Sequence, residues 1–216
     1  IKDKTLSTKL IKIKKVKNKF ELLIRVENKK YIFYSINNNK SNIYNILATL
    51  TSINLFEDLS KIDRNIFLNL KSPEGRGDIS KIKIKDKYIY LVDESYNSNP
   101  LSLKTAIENF DKIFTKKSKK YIVLGDMLEL GKHSMKQHKL ISKSLNKSNI
   151  HKVYVHGKFI KETFKGLNKN KKAKILDRKI EIIDQIYKDL NNKDYLMIKG
   201  SNATGFHKIT NILKQG

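Results

Sequence analysis

Four short polar segments of this 216-residue chain carry residue types that can do chemistry. Asp93-Glu94-Ser95-Tyr96-Asn97-Ser98-Asn99-Pro100 follows an apolar run, as do Gly125-Asp126-Met127-Leu128-Glu129-Leu130-Gly131 and Lys199-Gly200-Ser201-Asn202. The fourth, Gly75-Arg76-Gly77, sets a guanidinium between two glycines. The backbone there can approach a ligand closely, and arginine can meet a phosphate through two parallel N–H bonds. A carboxylate such as Asp93 can accept hydrogen bonds from ribose hydroxyls, and Lys199 with Ser201 suits a bound carboxylate. Nothing resembles a covalent nucleophile with a base and an orienting acid. His133, His138, His151, His156 and His207 have no metal-ligand spacing with nearby carboxylates, and His138 reads as a surface position on a helix. The inventory is one of binding and positioning, with no catalytic side chain and no metal site.

The elements that must position these groups follow from periodicity. Residues 9 to 37 alternate apolar and polar, with Phe20, Leu22, Ile24 and Val26 on one face of a strand and Tyr31, Phe33 and Ser35 on a face of the next. This predicts a small antiparallel meander turning at Asn28-Lys29-Lys30. Ser41 or Asn42 then caps a helix running to about Phe56, and a second short helix follows over about Leu59 to Leu70. Lys71 to Asp78, with Pro73, Gly75 and Gly77, reads as a linker. Beyond it a hairpin at Ile82-Ile84 and Tyr88 to Val92 gives way to strands at about 121–124, 153–155, 175–176 and 195–198. These alternate with helices at about 100–114, 134–145, 159–164, 181–190 and 206–213, the first capped by Asn99 with Pro100 at its first position. Alternation of this kind predicts an open, largely parallel α/β sheet, which binds ligands outside the carboxyl ends of its strands. The polar segments fall at those ends and together favour a small-molecule site.

Composition excludes several classes. With no cysteine there is no disulfide framework, thiolate metal site or cysteine nucleophile. No run approaches the roughly 20 apolar residues that span a bilayer, and no signal peptide is evident, so no membrane partner is expected. The net charge of +25 invites a nucleic-acid reading. Yet arginine occurs only at Arg25, Arg64, Arg76 and Arg178, and lysine is spread through the chain beside abundant Asn and Ile. Bidentate phosphate and base recognition favours arginine. The runs at Lys12–Lys19, Lys116–Lys120 and Lys169–Lys174 therefore read as solvated faces, and no specific nucleic acid is expected.

In this order, the segments resemble the Mur ligases of bacterial cell-wall synthesis. Asp93 to Pro100 is similar to that family's D-[DS]-S-Y-N-A-N-P segment, and Leu124 to Gly131, LGDMLELG, to its LGDMxELG. Lys199-Gly200-Ser201 is similar to K-G-S, Gly75-Arg76 to G-R, and Ser41 to Ala48, SNIYNILA, to HNxxNxLA, with Ser41 in place of histidine. Sister ligases carry Y-x-H where this chain has Tyr96-Asn97.

The resemblance implies residues 1–74 as the end of a central ATP-binding domain and 75–216 as a C-terminal Rossmann-like domain. It implies ATP-dependent joining of D-alanyl-D-alanine to UDP-N-acetylmuramoyl-tripeptide through an acyl phosphate, in the cytoplasm, by a monomer. It assigns Asn42 to adenine, Arg76 to the phosphates and Asp93 to the ribose. Tyr96, Asn97 and Asp126 would line the cleft, with Lys199 and Ser201 near the dipeptide. Mg2+ ligands, the G-x-x-G-K-[ST] phosphate loop and a UDP-sugar domain belong upstream in the family and do not occur in this sequence. The expectation is a fragment that does not catalyse alone, joined by a linker at Lys71–Gly77 that acts as a hinge. The alternatives are another Mur-type or polyglutamate ligase, or a lysine-rich module that binds polyanions.

Overall fold

The computed structural model describes residues 7–38, 40–70, 74–178 and 181–215, and the chain divides into two compact units, Ile1–Lys71 and Ser72–Gly216. In the first unit the two-residue alternation builds three antiparallel strands: β1 (Thr8–Val16), β2 (Lys19–Val26) and β3 (Lys29–Ser35). Side chains two apart share a face, so Leu22, Ile24 and Val26 are buried together with Phe33. The β2–β3 turn is Glu27-Asn28, earlier than the sequence suggests, because Lys29 and Lys30 already pair with Val26 and Arg25; Glu27 takes φ 51°. Helix α1 (Lys40–Ile53) lays Ile43, Ile46 and Leu50 on the buried face.

Three expectations change here. The helix starts before Ser41 and Asn42, so neither caps it from outside. It stops at Ile53, which leaves Leu55 and Phe56 exposed. The helix expected over 59–70 is only a single 3-10 turn, Leu59–Lys61, capped by the Asp58 carboxylate, which accepts the Ser60 N–H at 2.9 Å. Asp63 then takes the Asn65 N–H at 2.9 Å, a local side-chain bond that competes with helix formation. Leu59 and Phe67 still reach the core.

The second unit opens with a hairpin, β4 (Asp78–Ile84) and β5 (Lys87–Glu94), followed by α2 (Pro100–Lys112) and β6 (Lys120–Gly125). Next come α3 (Ser134–Lys147), β7 (Lys152–His156), α4 (Lys161–Lys165) and β8 (Lys172–Ile175). Last are α5 (Glu181–Asp189), β9 (Tyr195–Lys199) and α6 (Phe206–Gln215). The sheet runs β4-β5-β9-β6-β7-β8, parallel throughout except for β4 against β5. Alternate residues feed opposite faces. Leu91, Val123 and Ile198 pack with α5 and α6, while Val92, Leu124 and Met197 pack with α2 and α3. This is the expected α/β architecture, with helices on both faces.

Of the segment read as a linker, 71–73 lie outside the described residues, and 74–77 form a turn leading into β4. Two lysines read as solvated are buried instead. Lys120 Nζ donates to Asp111 O at 2.5 Å, and Lys171 Nζ to Ser148 O and Ile150 O at 2.6 and 2.8 Å. These carbonyls end α2 and follow α3, where a cation completes orphaned acceptors and offsets the helix dipole. Burial lowers both ammonium pKa values. No described helix is long and apolar enough to cross a membrane.

Candidate functional site

The ends of β5, β9 and β6 meet at one edge, because Lys199 pairs in register with both Glu94 and Leu124. The three polar segments therefore leave the sheet side by side. Asn99 starts α2 with a capping box: its side chain accepts the Ser102 N–H at 2.8 Å, and Ser102 Oγ accepts the Asn99 N–H at 3.0 Å. Pro100 takes the first helical position, where no N–H is needed.

Beneath this edge lies a network that uses most of the predicted polar side chains internally. Lys199 is almost fully buried; its Nζ donates to Glu94 Oε2 at 3.0 Å and to Asn97 O at 2.9 Å. Ser201 Oγ donates to Ser98 O at 3.0 Å and accepts the Leu128 N–H at 2.9 Å, and the Ser201 N–H donates to Asp126 O at 3.0 Å. Ser201 thus pins all three segments to one another. The Asp126 carboxylate accepts the N–H groups of Lys158, Phe159 and Ile160 at 2.9, 2.9 and 2.7 Å, which satisfies the backbone donors leading into α4.

Asp93 is only 2% exposed. Its Oδ1 accepts the N–H and Oγ–H of Ser95 at 3.0 and 2.6 Å, and its Oδ2 accepts Lys214 Nζ at 2.7 Å. Burial alone would raise this carboxyl pKa, but the bonds from Lys214 and Ser95 outweigh it, and the net shift is downward.

His138 corrects a sequence expectation. It is fully buried on α3, not on the surface. Its Nε2 accepts the Met127 N–H at 2.9 Å, and Nδ1 lies 2.6 Å from Ser134 O. Since Nε2 accepts, the ring proton sits on Nδ1. The histidine locks the 126–131 loop from below. Periodicity places His138 on a helix but carries no signal for a loop eleven residues earlier folding over it.

What faces outward is a smaller set. Arg76, Tyr96 and Asn97 are exposed, and the Arg76 guanidinium carbon lies 4.5 Å from the centre of the Tyr96 ring. Gly75 and Gly77 hold φ of 75° and 89°, and a Cβ at Gly75 would sit 2.8 Å from the Tyr96 nitrogen, so the turn packs directly on the end of β5. Ser98 Oγ and His207 Nδ1 are buried with no hydrogen-bond partner, and both lie on segments that build this edge. Asn42 belongs to the first unit, where its Nδ2 donates to Ser35 Oγ at 3.0 Å and Asn37 O at 2.9 Å, tying the end of β3 to α1.

An exposed guanidinium stacked on an exposed aromatic ring, beside an amide, fits phosphate and ring-faced ligands. Among the described residues no group of three or more His, Asp or Glu is arranged to hold a metal ion. A groove of about 600 Å³ lies elsewhere, between α2 and α3, and touches the motif segments only at Pro100. It carries none of the converging polar groups, so the strand-end edge is the better candidate.

Comparison with known proteins gives the same family. The profile of the Mur ligase, glutamate ligase domain matches residues 80–202. The UDP-N-acetylmuramoyl-tripeptide–D-alanyl-D-alanine ligase of Buchnera aphidicola subsp. Baizongia pistaciae is 36% identical over 64% of this chain and 32% of its own length. The enzyme of the same name from Borreliella burgdorferi is 28% identical over 79% of this chain and 38% of its own. Among solved structures, the MurF ligase from Thermotoga maritima in complex with ADP superposes with a TM-score of 0.71 at 21% identity, over 96% of this chain and 46% of that one. MurF from Acinetobacter baumannii gives 0.74 at 17% identity, over 96% and 45%. The structural likenesses concern the fold. The chain spans about a third of these curated relatives and under half of the solved ones.

Proposed function

The chain belongs to the Mur ligase family, and on that footing we propose that it supplies the C-terminal part of a UDP-N-acetylmuramoyl-tripeptide–D-alanyl-D-alanine ligase. In this reading residues 1–74 end the central ATP-binding domain and 75–216 form the C-terminal domain, in a cytoplasmic enzyme of peptidoglycan precursor synthesis. ATP supplies the phosphoryl group that activates the tripeptide carboxylate, and the dipeptide amine displaces it to form the amide. Such chemistry depends on positioning, charge neutralisation and exclusion of water more than on a side-chain nucleophile. The residues of this chain are suited to those tasks. Arg76 would neutralise phosphate charge, and Tyr96 and Asn97 would flank the nucleotide. Asp93 would accept a ribose hydroxyl by exchanging for it a bond that it makes to Ser95 in the free protein. Asn42 would act on the adenine side, and Asp126, Lys199 and Ser201 would shape the edge near the dipeptide. Mg2+ would take its ligands from the part of the ligase outside this sequence.

The observation that carries the reading is the exposed Arg76–Tyr96 pair, mounted on an edge where Lys199 and Ser201 are held by internal hydrogen bonds. Calorimetric titration of the chain with ADP tests it. Saturable binding is expected, weakened about ten- to a hundredfold by Arg76→Ala, as loss of a charge-assisted bidentate contact predicts. Equal affinity in Arg76→Ala, or binding to DNA that outcompetes ADP and falls steeply with salt, would overturn it in favour of a polyanion module.

A further inference from the structure

We propose that Lys214, on the last turn of α6, is the positioning residue for Arg76: acting through Asp78 and Asp93, it fixes the Gly75-Arg76-Gly77 turn so that the guanidinium lies over Tyr96. No motif contains Lys214, and it lies far along the chain from the turn it serves. Helix α6 makes the connection by crossing the sheet. Its Phe206 ring packs against Gly125 and Gly200 at the ends of β6 and β9, Thr210 Oγ1 lies 3.1 Å from Ser95 Oγ, and Lys214 arrives at β4 and β5.

There the Nζ donates to Asp78 Oδ2 at 2.8 Å and to Asp93 Oδ2 at 2.7 Å. Asp78 and Asp93 are paired directly across the β4–β5 hairpin, where two like charges repel unless a cation lies between them. The same groups hold the turn. Asp78 Oδ1 accepts the Gly75 N–H at 3.1 Å, the Gly77 N–H donates to Asp93 O at 2.7 Å, and the Tyr96 N–H donates to Gly75 O at 3.1 Å. The ring of bonds therefore runs from Lys214 to Asp78 to Gly75 to Tyr96, and back through Ser95 and Asp93.

Glycine has little intrinsic preference for the conformation held at Gly75 and Gly77, so these bonds supply the order that the backbone does not. Without the ammonium, the two carboxylates face each other, Asp78 turns to solvent, and the Gly75 N–H loses its acceptor. An exposed arginine on a freed turn must be ordered anew by each ligand, at a cost in side-chain and backbone entropy.

The test uses the full chain, and its nucleotide arm rests on the ligase reading above. In the free protein, the Arg76 side-chain Nε–H and Tyr96 ring resonances are followed by NMR in wild type, Lys214→Met and Lys214→Arg. Lys214→Met should move both signals toward unstructured values while the β6 and β7 amides stay in place, and Lys214→Arg should restore them. If Lys214→Met does not fold, Asp78→Ala, which breaks the same ring at one link, should give the displacement. Unchanged Arg76 and Tyr96 signals in a folded Lys214→Met or Asp78→Ala variant would overturn the proposal.

In the second arm, Lys214→Met should weaken ADP binding about tenfold in the wild-type background and clearly less beside Arg76→Ala, where only its effect through Asp93 is left, the non-additivity expected of one residue acting through another. An equal loss in both backgrounds would also overturn it. Absence of any ADP binding by the wild type would instead defeat the nucleotide reading, leaving the resonances to judge Lys214.

Discussion

Asp93, Lys199, Ser201 and Asp126 share a property that their residue types do not announce: each spends its side chain on the protein itself. Type and spacing marked all four as chemistry-bearing, and they do cluster at one edge. Which of them face a ligand depends on partners distant in sequence, such as Lys214 for Asp93, and no local pattern encodes that. His138 is the same case in reverse, a polar residue whose burial follows from a loop folding over it. The Asp93–Lys214 pair makes a prediction at this scale. Its carboxyl is held below the usual range in the folded protein, so its contribution is present above about pH 4, the unfolded carboxylate value, and is lost as pH falls through the lower folded value. Asp93→Asn should therefore be less stable than wild type at pH 6, and the gap should close toward pH 2. Urea midpoints across that range check it, and a constant gap would mean that the carboxylate charge contributes nothing.

At the scale of elements, apolar runs and periodicity located the described strands and α-helices of the second unit to within a few residues, because the strands alternate or are apolar on both faces and the helices repeat against the sheet; the 3-10 turns at 131–133, 169–171 and 202–204 escaped them. They failed where side chains intervene. Asp58 and Asp63 bond to nearby backbone N–H groups and reduce an expected helix to a turn. Lys120 and Lys171 lie in runs that read as solvated, yet each closes a helix terminus, a role visible only once α2 and α3 are placed. The loop between β7 and α4 is specified just as closely. Gly157 takes φ 140°, and a Cβ there would fall 2.6 Å from the Asp126 carboxylate that caps the following N–H groups. Gly157→Ala should cost about 3 kcal/mol, combining backbone strain with a displaced acceptor. A denaturant titration showing less than about 1 kcal/mol would mean that the carboxylate yields and water replaces its bonds.

Across the whole molecule, the +25 charge is the feature most open to misreading. Each of the three hydrophobic clusters lies within one of the two units, so each unit has its own core. Among the described residues the lysines are spread over both units and mostly exposed, and few are paired with the scarcer carboxylates. Charge distributed in this way acts mainly on itself: it keeps the chain soluble and pushes the folded state apart. A dedicated polyanion surface would concentrate arginine on one face, and Arg76 is instead stacked on Tyr96 at the strand-end edge. Self-repulsion is screened by salt, since the Debye length shrinks from about 30 Å at 0.01 M to about 10 Å at 0.1 M. The thermal midpoint should accordingly rise by several degrees over that range in sodium chloride, and magnesium or sulfate salts should not be needed to produce the rise. A midpoint that stayed flat would place the positive charge in compensated networks; one that rose only with polyanions such as heparin would point to a localised basic site and revive the binding-module reading.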